Sequence, residues 1–108
     1  MAVVYISGPF TNGDVVENVR SAVMVAEKIV QLGHTPYIPH LSMLWHMIAP
    51  HPIEFWYEYD TNFLRKCDCV LRIEGESSGA DAEVELAYDL GIPIFYSIHE
   101  LMYMGYRK

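Results

Sequence analysis

Basic residues are scarce in this chain, with 7 Lys and Arg against 14 Asp and Glu and a formal charge of −7. Phosphate backbones are bound by clustered cations, so this balance argues against a nucleic-acid polymer as ligand. A single nucleotide stays open, because one helix N-terminus can hold one phosphate through its free N–H groups. Cysteine is nearly absent. Cys67 and Cys69 are read as reduced packing residues of a cytoplasmic protein rather than a disulfide framework. The five histidines form no His-x-x-x-His pair and Cys67-x-Cys69 has no matching second pair, so no metal site and no cofactor is expected. No apolar run reaches membrane-spanning length, and MAVVYISG lacks the basic start and the length of a secretory leader. Repeats, linkers and low-complexity tracts are also missing.

The 108 residues suffice for one domain, 1–108, built on a single core. Hydrophobic residues make up 52%, and the mean hydropathy of +0.12 is high for so short a chain. Some of that apolar surface is expected to meet another subunit, giving a homodimer or higher homo-oligomer. The C-terminal Leu101, Met102, Tyr103 and Tyr106 are candidates for that interface.

Strands and helices alternate along the chain. AVVYIS, residues 2–7, is a β-branched apolar run suited to a strand buried on both faces. It ends in Gly8-Pro9-Phe10-Thr11-Asn12-Gly13, a loop of turn formers, after which Asp14 and Glu17 have capping-box spacing. Val15, Val19, Ala22, Val23, Ala26, Ile29 and Val30 keep the helical period until Gly33. TPYIP (35–39) predicts a second strand, followed by an irregular segment from His40 to Pro52 holding a short helix. Residues 53–66 predict a helix with Trp56, Tyr59, Phe63 and Cys67 on one side. CVLRI (69–73) predicts the third strand, and Pro93–Ser97 the fourth, with an amphipathic tail after it. Short loops between such elements imply a flavodoxin-like or Rossmann-like three-layer sandwich with a four- or five-stranded parallel sheet in the order 2-1-3-4.

The most informative stretch is SSGADAEVELA, residues 77–87. Ser77 and Ser78 offer hydroxyl caps, and Gly79 lets a ligand come close to the turn. At helical spacing Ala80, Glu83, Val84, Ala87, Leu90 and Gly91 share one side, whereas Asp81, Glu85 and Asp89 share the other. Glu83 therefore sits in an apolar stripe one turn from a helix N-terminus, where a carboxylate needs a partner or a job. Ligands of open α/β sheets bind where the strand order reverses, here between strands 1 and 3. That brings Ser7-Gly8-Pro9-Phe10 and Ser77-Ser78-Gly79 to one crevice, with Glu83 in its floor and Asp60 alongside. His40, at the ligand end of strand 2, is a candidate contact. Paired acids suit glycosidic chemistry: one attacks the anomeric carbon and the other serves the leaving group, while Phe10, Trp45 or Trp56 can stack on a base.

YISGPF (5–10), DTNFLRKCD (60–68) and SSGADAEVELAYDLGIPI (77–94) together resemble the nucleoside 2-deoxyribosyltransferase superfamily. The chain looks closest to small bacterial and phage members, and is more distantly similar to 2′-deoxynucleoside 5′-monophosphate N-glycosidases. The resemblance implies that Glu83 is the nucleophile, Asp60 the second acid and Tyr5 a residue orienting the nucleophile. It also implies a small deoxynucleoside or deoxynucleotide as substrate. Ser77 stands where the transferases carry an acid and the monophosphate hydrolases a serine, which tilts the substrate towards a 5′-monophosphate. Pro9 and Thr11 depart from the serine and arginine of those hydrolases. A reading from another class is a non-catalytic nucleotide-binding sensor or adaptor, against which the paired acids argue. A phosphoacceptor receiver domain is discarded, because Ser7-Gly8-Pro9 supplies no acid cluster after strand 1.

Overall fold

Val3–Ser7 is apolar enough to be covered on both faces, and in the computed structural model, which describes residues 1–104, it forms the inner strand β1. β1 pairs in parallel with β2 (Thr35–Tyr37) on one side and β3 (Cys69–Arg72) on the other. β4 (Ile94–Phe95) adds to β3, giving a four-stranded parallel sheet in the expected order β2-β1-β3-β4. Strand order therefore reverses between β1 and β3, and the loops leaving these two strands emerge side by side.

The helices are α1 (Val15–Gln31), α2 (Met43–Ile48), α3 (Ile53–Leu64), α4 (Ser78–Asp89) and α5 (Ile98–Met104), with a 3₁₀ turn at Pro39–Ser42. α1 begins where the Asp14 carboxylate accepts N–H bonds from Val16 and Glu17, and it gives way at Gly33, whose φ of 88° suits glycine. Side chains alternate across β1, so Val4 and Ile6 pack against α1 and α5, while Tyr5 points to α3 and α4. Ile29 and Leu101 close the first layer and Leu64 and Ala87 the second. Each fully buried aliphatic side chain of this size contributes about 1.5–3 kcal/mol.

Several expectations change in the structure. β2 and β4 are shorter than predicted: β2 ends ahead of Pro39 and β4 begins after Pro93, neither proline offering a ladder donor, and past Phe95 the Tyr96 N–H goes to the Glu100 carboxylate. Val30 and Leu90, placed in apolar stripes, are exposed. In α3 the buried positions are Thr61 and Leu64, not the aromatic stripe. Trp56, Tyr59 and Phe63 lie along the flank instead, in ring-to-ring contact that continues from Phe63 to Tyr37 (4.6 Å) and Tyr5 (5.5 Å). Leu101 belongs to the core rather than to an interface; Met102 and Tyr103 are exposed, and Tyr106 lies outside the described residues. Cys67 and Cys69 are free and buried on opposite sides of the sheet, and burial pushes their thiols up to about 11 and about 12. Among the described residues no helix is long and apolar enough to cross a membrane.

Candidate functional site

The loops after β1 and β3 are built against each other. A Cβ on Gly8 would lie 2.9 Å from Ile73 Cβ, so only glycine lets the strands end this close. Across the gap, Gly75 (φ 125°) faces Pro9, whose Cγ would be 2.7 Å from an added Cβ. The Asn12 side chain donates to Glu76 O (2.8 Å), and Asn18 fastens the first loop through Phe10 O and Asn12 O (2.9 Å each). In the second loop Ser77 caps α4 by accepting the Ala80 N–H at 3.1 Å.

Between these loops and the segment from Pro39 to Asp60 lies a cleft of about 720 Å³. Glu83 reaches it from the second turn of α4. Both of its oxygens are fixed by hydroxyls from β1: Tyr5 donates to Oε2 at 2.6 Å and Ser7 to Oε1 at 2.7 Å. Burial raises the Glu83 pKa, and the two hydroxyl bonds and the charge of Arg72 oppose that rise. Asp60 lines the same cleft and accepts one longer bond, 3.3 Å from the Tyr37 hydroxyl. Burial, with the negative charge of Glu83 added, pushes the Asp60 carboxyl up to about 7. Tyr5 is raised far beyond the range in which it could ionise, first by burial and then by Glu83, so it remains a donor.

His40 is 4% exposed, and its Nε2 lies 3.1 Å from Pro9 O. A carbonyl only accepts, so the proton is assigned to Nε2 and Nδ1 becomes an acceptor. Nδ1 is buried and has no partner among the described residues. Burial also holds the His40 pKa below its ordinary value. On the far wall the Trp56 indole N–H donates to His46 Nδ1 at 2.8 Å, which ties α3 to α2.

The model of a family described as "Domain of unknown function (DUF7768)" matches residues 2–97. This chain belongs to that family. No curated protein matches it. Among solved structures, the DUF7768 chain is similar to the 2-deoxyribosyltransferase of the psychrotolerant bacterium Bacillus psychrosaccharolyticus, with a TM-score of 0.67 and 22% identity over 86% of this chain and 69% of that one. At that identity the likeness shows a shared fold.

Within the DUF7768 fold, Gly8, Phe10, His40, Trp56, Asp60, Ser77, Ser78, Gly79 and Glu83 all line the cleft. Three of the predicted site residues do not. Tyr5 and Ser7 are fully buried and reach the cleft only through Glu83, and Pro9 is spent on packing against Gly75. Tyr5 and Ser7 share the face of β1 that lies under α4, whereas Ile6 on the opposite face does line the cleft. Sequence reasoning passed over the walls made by Met43, His46, Met47, His51, Ile53 and Tyr57, which come from the irregular middle segment. It also passed over Arg72, which is 8% exposed. An arginine inside a strand whose other residues are all buried was the available signal.

Proposed function

We propose that this chain, acting as one domain, cleaves or transfers the N-glycosidic bond of a 2′-deoxynucleoside or its 5′-monophosphate through a covalent ester on Glu83. The observation that carries this reading is a carboxylate in the floor of an open cleft, with each oxygen fixed by a buried hydroxyl. A merely structural acid has no need of a cavity above it. The fold shared with a 2-deoxyribosyltransferase supports the same reading.

The two acids divide the work by environment. Glu83 receives two short hydroxyl bonds and the field of Arg72, whereas Asp60 receives one bond of 3.3 Å, so the proton held by the pair belongs on Asp60. Glu83 as the anion attacks C1′, the C1′–N bond breaks, and the departing base takes the Asp60 proton. Water, or a second base, then attacks C1′ and releases Glu83, with the Asp60 carboxylate accepting the proton of the incoming nucleophile.

Between the two substrates the lining favours the uncharged nucleoside. Asp60 and Glu83 face the cleft, and no Lys or Arg is among its described lining residues. The N-terminus of α4 offers only about half a positive charge, against a phosphate of roughly −1.5 to −2.

Purified protein is to be incubated with deoxynucleosides and their monophosphates at equal concentration and free base measured. Base release is expected, faster from the nucleosides, with a deoxyribosyl adduct on the Glu83 peptide by mass spectrometry. Glu83→Ala is expected to lower the rate by about a thousandfold or more; undiminished activity in that variant defeats the mechanism. Adding an acceptor base separates transfer from hydrolysis. Ligand-dependent thermal stabilisation with no base released would instead support a nucleotide-binding sensor.

A further inference from the structure

We infer that Arg72 is a positioning residue for the Glu83 carboxylate, clamping the β3–α4 loop to the first turn of α4 and bringing a buried positive charge to the site. The inference rests on the reading of Glu83 as the reacting acid. Arg72 closes β3 opposite Ser7, the residue that holds Glu83 Oε1, and the next residue, Ile73, donates its N–H to Ser7 O at 2.7 Å. Its guanidinium donates to Ile73 O, to Gly75 O at 3.0 Å and to Asp81 Oδ1 at 2.9 Å. Those contacts span the loop from its first residue to the helix that carries Glu83.

Stability alone does not account for an arginine here. Burying a guanidinium is costly, and an apolar side chain such as those at Val70 and Leu71 would fill the layer at least as well. Its ion partner compensates it poorly, because the Asp81 side chain is 73% exposed and its charge is screened by water. The Arg72 charge therefore also acts on the buried side of the site, where it favours the Glu83 anion in addition to the Tyr5 and Ser7 hydroxyl bonds.

The titratable groups facing Glu83 are few. Tyr5 comes from β1, Asp60 from α3 and Arg72 from β3. Tyr37 of β2 acts through Tyr5 and Asp60, His40 lines the same cleft, and β4 carries no titratable side chain. Asp81 acts through Arg72. Removing the Arg72 charge should accordingly raise the Glu83 titration, whereas removing the screened charge of Asp81 should leave it nearly in place.

The test follows the Glu83 side-chain carboxyl by carbon NMR in glutamate-labelled protein, assigned with Glu83→Gln, beside the pH profile of base release. Arg72→Met is expected to move the midpoint up by about half a unit or more, and Asp81→Asn, which removes a screened, exposed charge, to leave it near wild type. Arg72→Lys keeps the charge but loses the fork, so its midpoint should stay near wild type while kcat falls about tenfold through a loosened loop. An unmoved midpoint in Arg72→Met, or an equal displacement in Asp81→Asn, overturns the inference. If Arg72→Met does not fold, Arg72→Gln, which keeps an N–H donor for the loop carbonyls but carries no charge, makes the same test: a raised midpoint upholds the inference and an unmoved one overturns it. A raised midpoint in a protein that releases no base would uphold the coupling and reject the glycosidic reading instead.

Discussion

At the level of single residues, one bond separates two carboxyl groups into different roles. Asp60 is pushed up by burial and then by the negative charge of Glu83, and its single long Tyr37 bond offsets little of this, so its proton leaves only near pH 7. Because the proposed reaction needs that proton on Asp60 and the anion on Glu83, base release should fall about tenfold per unit above about pH 7 and fall again on the acid side as Glu83 takes up its own proton. Asp60→Asn removes the titrating group without changing its size. The variant should lose a factor of about 10²–10⁴ in kcat, and its residual rate should no longer decline on the alkaline side. A pH–rate series on both proteins checks this, and an alkaline limb retained in Asp60→Asn would assign it to another group. The resemblance already implied the roles of Glu83 and Asp60 and named Tyr5 as the residue orienting the nucleophile, but the sequence does not show that Tyr5 and Ser7 each meet one oxygen of Glu83 or that Tyr37 serves Asp60. The two Glu83 contacts span 78 and 76 positions of chain and exist only once β1 lies beneath α4.

Elements show the opposite pattern. The Asp14 cap of α1 and the Ser77 cap of α4 follow from local rules of turn chemistry and periodicity and could be read directly, while the strand order rests on the general habits of parallel α/β sheets. What failed was the rotation of α3, because its aromatic side chains are long enough to pack from the flank while Leu64 and the small Thr61 take the buried positions. The cleft's far wall failed for a related reason: α2 has no buried residue of its own and is held by contacts such as Trp56 to His46. The two loops of the site meet at Gly75 and Pro9, and that contact makes a prediction. Gly75→Ala would place a Cβ 2.7 Å from Pro9 Cγ at a φ of 125°, costing about 1–3 kcal/mol and prising the loops apart. Gly13→Ala has a similar backbone problem, φ 89°, but open space around it, so its cost should be only about 1–2 kcal/mol with little loss of base release. Urea denaturation and rates measured on the pair separate loop packing from backbone strain; equal effects at both sites would show that the Pro9 contact does nothing for the cleft.

For the whole molecule, apolar surface and buried charge each have a consequence. Leu44, Met47, Ile48 and Ile53 are strongly exposed around α2, Ile48 at 83%, which favours the homo-oligomer suggested by composition. Sedimentation at micromolar concentration should therefore show a dimer or larger species, and Ile48→Lys should shift it towards monomer; a wild-type monomer throughout would reject self-association. Buried charge makes stability depend on pH. The Asp60 carboxyl titrates near 7 when folded against an ordinary 3.8, so between those values the folded chain holds a proton that the unfolded chain has released. Its contribution is complete below the ordinary value and is lost as pH rises through about 7, and Glu83 is displaced in the same direction. His40 runs the other way: burial lowers its pKa from 6.5, so the stability it contributes is present above that value and is lost as pH falls through the folded one. The wild-type melting curve mixes these opposing slopes, but the difference in Tm between Asp60→Asn and wild type cancels His40 and isolates the acid. That difference should grow from pH 4 to pH 7 and level off above it. A difference that stays flat over this range would mean that Asp60 is solvated in the folded protein, and then neither its role as proton donor nor the division of labour with Glu83 could hold.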